Sequence, residues 1–119
     1  MSTEPYSDDV RQLFAAPAHA GVLDPGVSVR VDAQGVRIEL SGRADDGRLA
    51  ALRFRAWGCP HLIAAAEAFC RAFEGLDVAE LETFTGTPIS EKLGVPVQKT
   101  GRILVLEDAV ASLYSALTT

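Results

Sequence analysis

The fold of this chain is decided at Trp57-Gly58-Cys59-Pro60-His61, where a predicted strand meets a predicted helix. The preceding residues, Leu49 to Ala56, alternate with the two-residue period of a strand. The residues expected on the apolar face of that strand are Ala50, Leu52, Phe54 and Ala56. After the junction, apolar residues recur at helical spacing, at Leu62, Ala66, Phe69 and Phe73. Pro60 suits the first helical position, since its missing N–H would have no partner there anyway.

Cys59 is therefore expected at the N-terminus of this helix. Free backbone N–H groups and the helix dipole favour negative charge at that position, and a thiol placed there ionises more readily than a free thiol. The same pattern also fits an inert, buried cysteine at a tight turn, because free cysteines are often buried. The local pattern leaves both interpretations open.

Two further strands are predicted upstream, at 27–31 and 36–41, where valine, isoleucine and leucine alternate with polar residues. Residues 32–35 and 44–47 form the hairpin connections, and the second contains an Asp-Gly turn signal. The three strands together form an antiparallel sheet with one face in water, so the other face must be covered.

Helices account for most of the remaining chain. Ser7 caps a short first helix. After Cys59 we expect a long helix ending at Gly75, short helices at about 77–82 and 87–93, an extended segment at 95–99 and a C-terminal helix. Strands first and helices afterwards indicate an α+β fold: a three-stranded antiparallel sheet with helices packed on one face. We expect residues 1–119 to form a single domain.

Composition narrows the classes of function. The chain of 119 residues is 48% hydrophobic, with a formal net charge of −5 and no basic run, which argues against nucleic acid as a partner. No apolar stretch is long enough to cross a membrane. The polar, acidic start from Met1 to Ser7 is unlike a signal peptide, so we predict a cytoplasmic protein.

The two cysteines cannot act together within one chain. Cys59 and Cys70 are eleven residues apart, or about 16 Å along one helix, too far for a disulfide or a shared metal. Cys70 is expected in the core. Cys59 and His61 offer a sulfur and a nitrogen suited to zinc or iron, but a four-coordinate site needs more ligands. For His61 we prefer a solvent-facing side chain over a metal ligand.

Short motifs in a fixed order extend along nearly the whole chain. In sequence order they are Tyr6-Ser7 through Val10, Pro17 and Gly21, Asp46-Gly47, Phe54, Gly58-Cys59, Ala64 to Glu67, Leu93 to Lys99 with Pro96 retained, and Glu107-Asp108-Ala109. Their order and spacing resemble the IscU/NifU-type iron–sulfur cluster assembly scaffold family. The resemblance implies a scaffold that holds a nascent cluster on three cysteines, with a histidine and an aspartate nearby.

The ligand positions implied by the resemblance are mostly substituted. The first cysteine falls on Ala33, the aspartate on Gly35, the second cysteine on Cys59, and the histidine–cysteine pair on Gly101 and Arg102. One thiolate of three is retained, fewer than a two-iron cluster needs within one chain. A homodimer would supply Cys59 twice.

The resemblance still leaves candidate ligands and a candidate reactive thiol. Asp32 is a candidate replacement for the lost aspartate, so Cys59, His61 and Asp32 are the candidate ligands of an iron–sulfur cluster or of a single iron or zinc ion. If the fold is kept, Arg102 lies close to Cys59, where its charge would stabilise a thiolate and repel iron. We therefore favour a sulfur-accepting thiol at Cys59 with Arg102 beside it.

Three functions remain: a divergent scaffold, a pseudo-scaffold that binds or regulates without a cluster, and a small zinc or thiol protein on the same fold. The resemblance implies a cysteine desulfurase or an assembly chaperone as partner. The candidate partner-binding segment contains Val95, Pro96, Val97 and Lys99, which are otherwise an ordinary loop. Scaffolds accept a cluster and hand it over without turnover chemistry of their own. No catalytic triad or phosphate-binding loop is recognisable in the sequence, so we predict no enzyme activity.

Overall fold

The structure is a computed structural model that describes residues 7–119, so Tyr6 of the first motif lies outside the described residues. Its three strands form one antiparallel sheet in the order β1-β2-β3. The elements are α1 (Asp8–Ala15), β1 (Val27–Ala33), β2 (Val36–Asp45), β3 (Arg48–Trp57), α2 (Pro60–Phe73), α3 (Thr87–Leu93) and α4 (Thr100–Leu117), with 3₁₀ turns at Val78–Thr83 and Val97–Lys99. The predicted α+β class is confirmed.

Both hairpins turn through two residues with positive φ. These are Gln34-Gly35, with φ of 56° and 75°, and Asp46-Gly47, with φ of 52° and 78°. Two successive positive φ values match the right-handed twist of the flanking strands, and they favour glycine or a small polar residue. The turn residues therefore set the register of the sheet, as the second hairpin signal predicted.

A bulge near the second turn corrects one prediction. Ala44 pairs with Leu49 whereas Arg43 pairs with Ala51, so Ala50 is an extra residue in β3. The extra residue reverses the alternation of side chains. As a result Leu49 is buried and Ala50 is exposed, and the predicted inward orientation of Ala50 is wrong.

The core lies between one face of the sheet and two helices. Helix α4 packs on β1 and β2, and α2 packs on β3. The largest buried side chains include Ile38, Leu40, Phe54, Leu62, Phe69, Leu106 and Leu113. Cys70 lies among them with no exposed area, as predicted. No helix in the described range 7–119 has both the length and the apolar character needed to cross a membrane.

Other segments cover the outer edge of β3. The Phe54 N–H donates to the carbonyl of His19, and the Gly21 N–H donates to the carbonyl of Phe54. Further back along β3, the Leu49 N–H donates to the carbonyl of Leu76. Because an uncovered edge strand invites pairing with another chain, these bonds protect the edge of the sheet.

A buried polar network holds the His19 segment in place. Glu67 on α2 has no exposed area and accepts hydrogen bonds from the His19 backbone N–H at 2.8 Å and from Arg71 Nε at 2.8 Å. His19 Nδ1 lies 2.7 Å from Glu67 Oε2, and His19 Nε2 lies 3.2 Å from Glu74 Oε1. Glu74 also accepts from the Leu52 N–H at 2.8 Å. The network therefore joins α2, β3 and the segment after α1.

The segment after α3 differs from its prediction. Residues 95–99 were expected to be extended, but Val97–Lys99 form a 3₁₀ turn that leads directly into α4. The Lys99 N–H donates to the carbonyl of Pro96 at 2.9 Å, which closes this turn. The short turn directs α4 back across the sheet.

Candidate functional site around Cys59

Cys59 is the N-cap residue of α2, as the sequence predicted. Its backbone is extended, with φ of −160° and ψ of 121°, and Pro60 begins the helix. Pro60 requires this geometry, because a residue before proline is displaced from the helical region. Only 5% of Cys59 is exposed. The residue is thus nearly enclosed at the N-terminus of α2, where its side chain makes no capping hydrogen bond.

His61 is the side chain that the structure brings to the sulfur. Its Nδ1 lies 4.0 Å from Cys59 Sγ, and only 2% of the residue is exposed. The expectation of a solvent-facing histidine is therefore wrong. Burial, and then the positive charges of Lys99 and Arg102, lower the pKa of His61 below its ordinary value near 6.5. The imidazole is consequently neutral at pH 7.

Three parts of the fold meet around this pair. A Cβ on Gly58 would lie 3.0 Å from the carbonyl oxygen of Gly35, so the β1–β2 turn touches the β3–α2 junction. The Gln34 side chain lies over Gly101 at the start of α4, where a Cβ would be 3.1 Å from Gln34 Oε1. The fold thus gathers positions 35, 59 and 101 at one end of the sheet, and of these three residues only Cys59 has a side chain that can bind a metal ion.

The local field at this site is positive. Lys99 and Arg102 both act on His61 through their charges. The Nε atom of Arg102 is buried and has no hydrogen-bond partner in the described part of the chain. Positive charge at this position favours a bound anion and disfavours a metal cation.

Asp32 lies on the outer face of the sheet with its carboxylate engaged by arginines. It accepts from Arg37 Nε at 2.7 Å and from Arg30 Nε at 2.9 Å. The hydrogen bond from Arg37 is the main reason that the pKa of Asp32 lies below its ordinary value. Within residues 7–119, no three His, Cys, Asp or Glu side chains are grouped so as to hold a metal ion.

The candidate partner-binding segment is partly accessible. Val97 is 89% exposed, while Val95, Pro96 and Lys99 are half-buried. Val97 is thus the most exposed of these four residues.

The most prominent side chains missed from the sequence are His19 and Glu67. One available signal was a lone carboxylate on the apolar face of α2, since Glu67 follows Ala64, Ala65 and Ala66 at positions that are all buried. A buried carboxylate requires partners. The sequence did not indicate that His19, 48 residues away, would be one of them.

The geometry defines a small α+β domain with a cysteine at the junction of sheet and helix. A family model described as the NifU-like N-terminal domain matches residues 5–116, so the chain belongs to this family. It is 30% identical over 112 residues to the iron–sulfur cluster assembly scaffold protein IscU of Azotobacter vinelandii, covering 88% of each chain. The resemblance predicted from the motifs is thereby confirmed.

Solved structures share the fold. The N-terminal part of a NifU-like protein from Brucella abortus has a TM-score of 0.73 at 15% identity, covering 94% of this chain and 93% of that one. A protein of Fervidobacterium islandicum, described as an iron–sulfur cluster assembly scaffold for the SUF system, has a TM-score of 0.75 at 13% identity. It covers 92% of this chain and 96% of that one. At sequence identities this low, the structural similarity shows only that the folds are alike.

Proposed function

We propose that this protein takes part in iron–sulfur cluster assembly as a scaffold-like member that accepts sulfur on Cys59. Membership of the NifU-like family and the similarity to IscU support the general role. The observation that carries the specific role is the enclosed Cys59 thiol beside a neutral His61, with Lys99 and Arg102 supplying positive charge.

The residues at the site do not fit a cluster as cargo. Cys59 and His61 offer two donor atoms, whereas a two-iron cluster requires four protein ligands. Asp32 contacts Arg30 and Arg37 instead. The positive charges would also repel iron. We therefore propose no step in which this chain alone holds a cluster. A homodimer is not excluded on this ground, because two chains would supply two copies of Cys59.

The proposed step is transfer of a sulfane sulfur from a protein persulfide. The Cys59 thiolate attacks the outer sulfur of the donor persulfide, so a new S–S bond forms at Cys59 while the donor S–S bond breaks. The electron pair of the broken bond leaves with the donor cysteine as its thiolate, and the transferred sulfur remains on Cys59 as a persulfide. Lys99 and Arg102 stabilise the anion before and after transfer. Because Cys59 is only 5% exposed, neighbouring residues must move aside to admit the donor.

Mass spectrometry after incubation with a cysteine desulfurase and free cysteine tests this proposal. We expect the full chain to gain one sulfur atom on Cys59. Cys70→Ser, the matched cysteine control, retains the gain, Cys59→Ser loses it, and Arg102→Gln slows it. Sulfur on Cys70, or equal rates with and without Arg102, would contradict the proposal.

The shortage of ligands also favours a second candidate, a pseudo-scaffold that binds or regulates without a cluster. Metal analysis of anaerobically purified protein separates the candidates. Colourless protein that binds a desulfurase without accepting sulfur supports the pseudo-scaffold. Brown protein containing iron and sulfide contradicts the pseudo-scaffold and favours a scaffold that holds a cluster, as a homodimer with two copies of Cys59 would. One zinc per chain, lost on Cys59→Ser, supports a small zinc protein on the same fold.

We further propose that a cysteine desulfurase and an assembly chaperone are the partners of this protein. We also propose a cytoplasmic location, one functional domain over the whole chain, and no turnover chemistry of its own.

The chaperone would contact Val97, which is 89% exposed, together with Val95, Pro96 and Lys99. Val97→Glu is expected to leave the free energy of unfolding within about 0.5 kcal/mol of the original and to weaken chaperone binding in calorimetry. Unchanged binding would exclude this segment as the contact.

A further inference from the structure

The charges of this protein are segregated between the sheet and the rest of the chain. The strands contain six of the eleven Lys and Arg residues but three of the sixteen Asp and Glu residues. The sheet therefore has a net charge of +3, and the remainder has −8. An acidic protein thus presents a basic sheet to solvent.

Two cross-strand rows on the outer face of the sheet contain three of these six arginines and two of the three acidic residues, a net charge of +1. Asp32 pairs with Arg37, which pairs with Trp57; in the neighbouring row, Arg30 pairs with Glu39, which pairs with Arg55. The side chains of Arg30, Arg37 and Arg55 are 56%, 45% and 50% exposed. We call these six residues the arginine face. Because successive residues of a strand point to opposite sides, all six project away from the helices.

Trp57 lies at one end of this face with 45% of its surface exposed. The guanidinium carbon of Arg37 is 5.6 Å from the ring centroid, and that of Arg55 is 5.8 Å away. Arg37 is itself held by Asp32, and Arg55 is held by Glu39 at 2.5 Å. The ring is thus oriented before any partner arrives. Exposed tryptophan beside arginine is the composition in which binding energy at protein interfaces concentrates.

The charge of the face selects its occupant. Three guanidinium groups face two carboxylates, so a partner with negative charge gains attraction, and the same face of a second copy is repelled. A continuous phosphate backbone is disfavoured, because Asp32 and Glu39 lie between the arginines and the rest of the chain is strongly negative. An acidic polypeptide has separate carboxylates, which can contact the arginines without lying over Asp32 and Glu39.

We propose that the arginine face docks an acidic, extended segment of a partner protein, with an apolar side chain of that segment on Trp57. A cleft of about 450 Å³, lined by Asp32, Arg37, Trp57 and Gly58 among others, continues from the face toward the junction that carries Cys59. The inference stands on the surface itself and does not depend on sulfur transfer.

Trp57 reports on its own environment, because it is the one tryptophan in the sequence. The full chain is titrated with a fluorescently labelled, glutamate-rich peptide that contains one central phenylalanine. Anisotropy of the label measures affinity, and Trp57 emission shows whether the peptide reaches the face. We expect saturable binding that weakens with salt and a Trp57 response at the same peptide concentration.

Charge reversal tests the location. Arg55→Glu is expected to weaken binding about tenfold, since it removes one attraction and adds one repulsion. Arg48→Glu is the matched control in the same strand, nine residues or roughly 30 Å from Trp57, and should bind as the original does. Circular dichroism verifies folding, and Arg37→Gln provides a second variant that removes the charge but keeps a polar side chain.

Several results would overturn the proposal. They are no binding at low salt, equal weakening by Arg48→Glu, unchanged binding in both Arg55→Glu and Arg37→Gln, and a single-stranded oligonucleotide that binds as tightly with the same Trp57 response. A dimer in sedimentation that Arg55→Glu dissociates would assign the face to a second copy instead. Loss of sulfur acceptance with peptide binding intact would defeat only the proposed function.

Discussion

Removing the buried carboxylate of Glu67 should destabilise the fold by an amount that its contacts define. Glu67→Ala deprives the His19 backbone N–H, His19 Nδ1 and Arg71 Nε of their partner. The Arg71 side chain is 52% exposed, so water can replace its lost hydrogen bond. The His19 side chain is only 15% exposed, so water replaces little of what it loses. At about 1.5–2 kcal/mol for each hydrogen bond to a charged group, the two lost His19 bonds lower the free energy of unfolding by about 3–4 kcal/mol. Domains of this kind have roughly 5–15 kcal/mol in total.

Urea unfolding followed by circular dichroism at pH 7 measures this loss. Glu67→Gln keeps the volume and one acceptor for the His19 N–H, so it should cost less, about 1–2 kcal/mol. Glu91→Ala on the exposed side of α3 is the control and should change stability by less than about 0.5 kcal/mol. A Glu67→Ala protein as stable as that control would refute the assignment of stability to this network.

The same network predicts loss of stability in acid. Burial alone would raise the pKa values of Glu67 and Glu74, but the hydrogen bonds they accept outweigh it and place both below their ordinary value. The folded protein therefore binds fewer protons than the unfolded chain as the carboxyls titrate. The stabilisation is complete above the unfolded pKa, about 4.3, and is lost as the pH falls through the folded values. The urea midpoint should fall below about pH 5, more steeply in the original than in Glu67→Gln. Equal slopes for the two proteins would contradict this account.

Two further measurements test the burial of the two cysteines and the close contact at Gly58. In the native protein, iodoacetamide should label Cys59 slowly and Cys70 not at all, because burial raises the Cys70 pKa well above its ordinary value; equal labelling in peptide mapping would disprove the difference. Gly58→Ala should destabilise more than Gly47→Ala, since both positions have positive φ but only at Gly58 would the Cβ lie 3.0 Å from the Gly35 oxygen. We expect a difference of about 1–3 kcal/mol in urea unfolding, and identical losses would show that this contact relaxes freely.

The sequence by itself determined the local elements and the position of Cys59. Strand periodicity, the Asp46-Gly47 turn and the proline after Cys59 act through neighbouring residues only, so no knowledge of the rest of the chain is needed to interpret them. The order of the motifs also identified the family, and the burial of Cys70 followed from its apolar helix face.

Only the tertiary structure decided the environment of the site. The positive charges that act on His61 belong to Lys99 and Arg102 at the start of α4, about forty residues further along the chain. The contact between His19 and Glu67 joins residues 48 apart, and the bulge at Ala50 reverses a pattern that local alternation predicts otherwise. Each depends on packing between distant segments, and the free energy of that packing belongs to the assembled chain rather than to any one stretch of it.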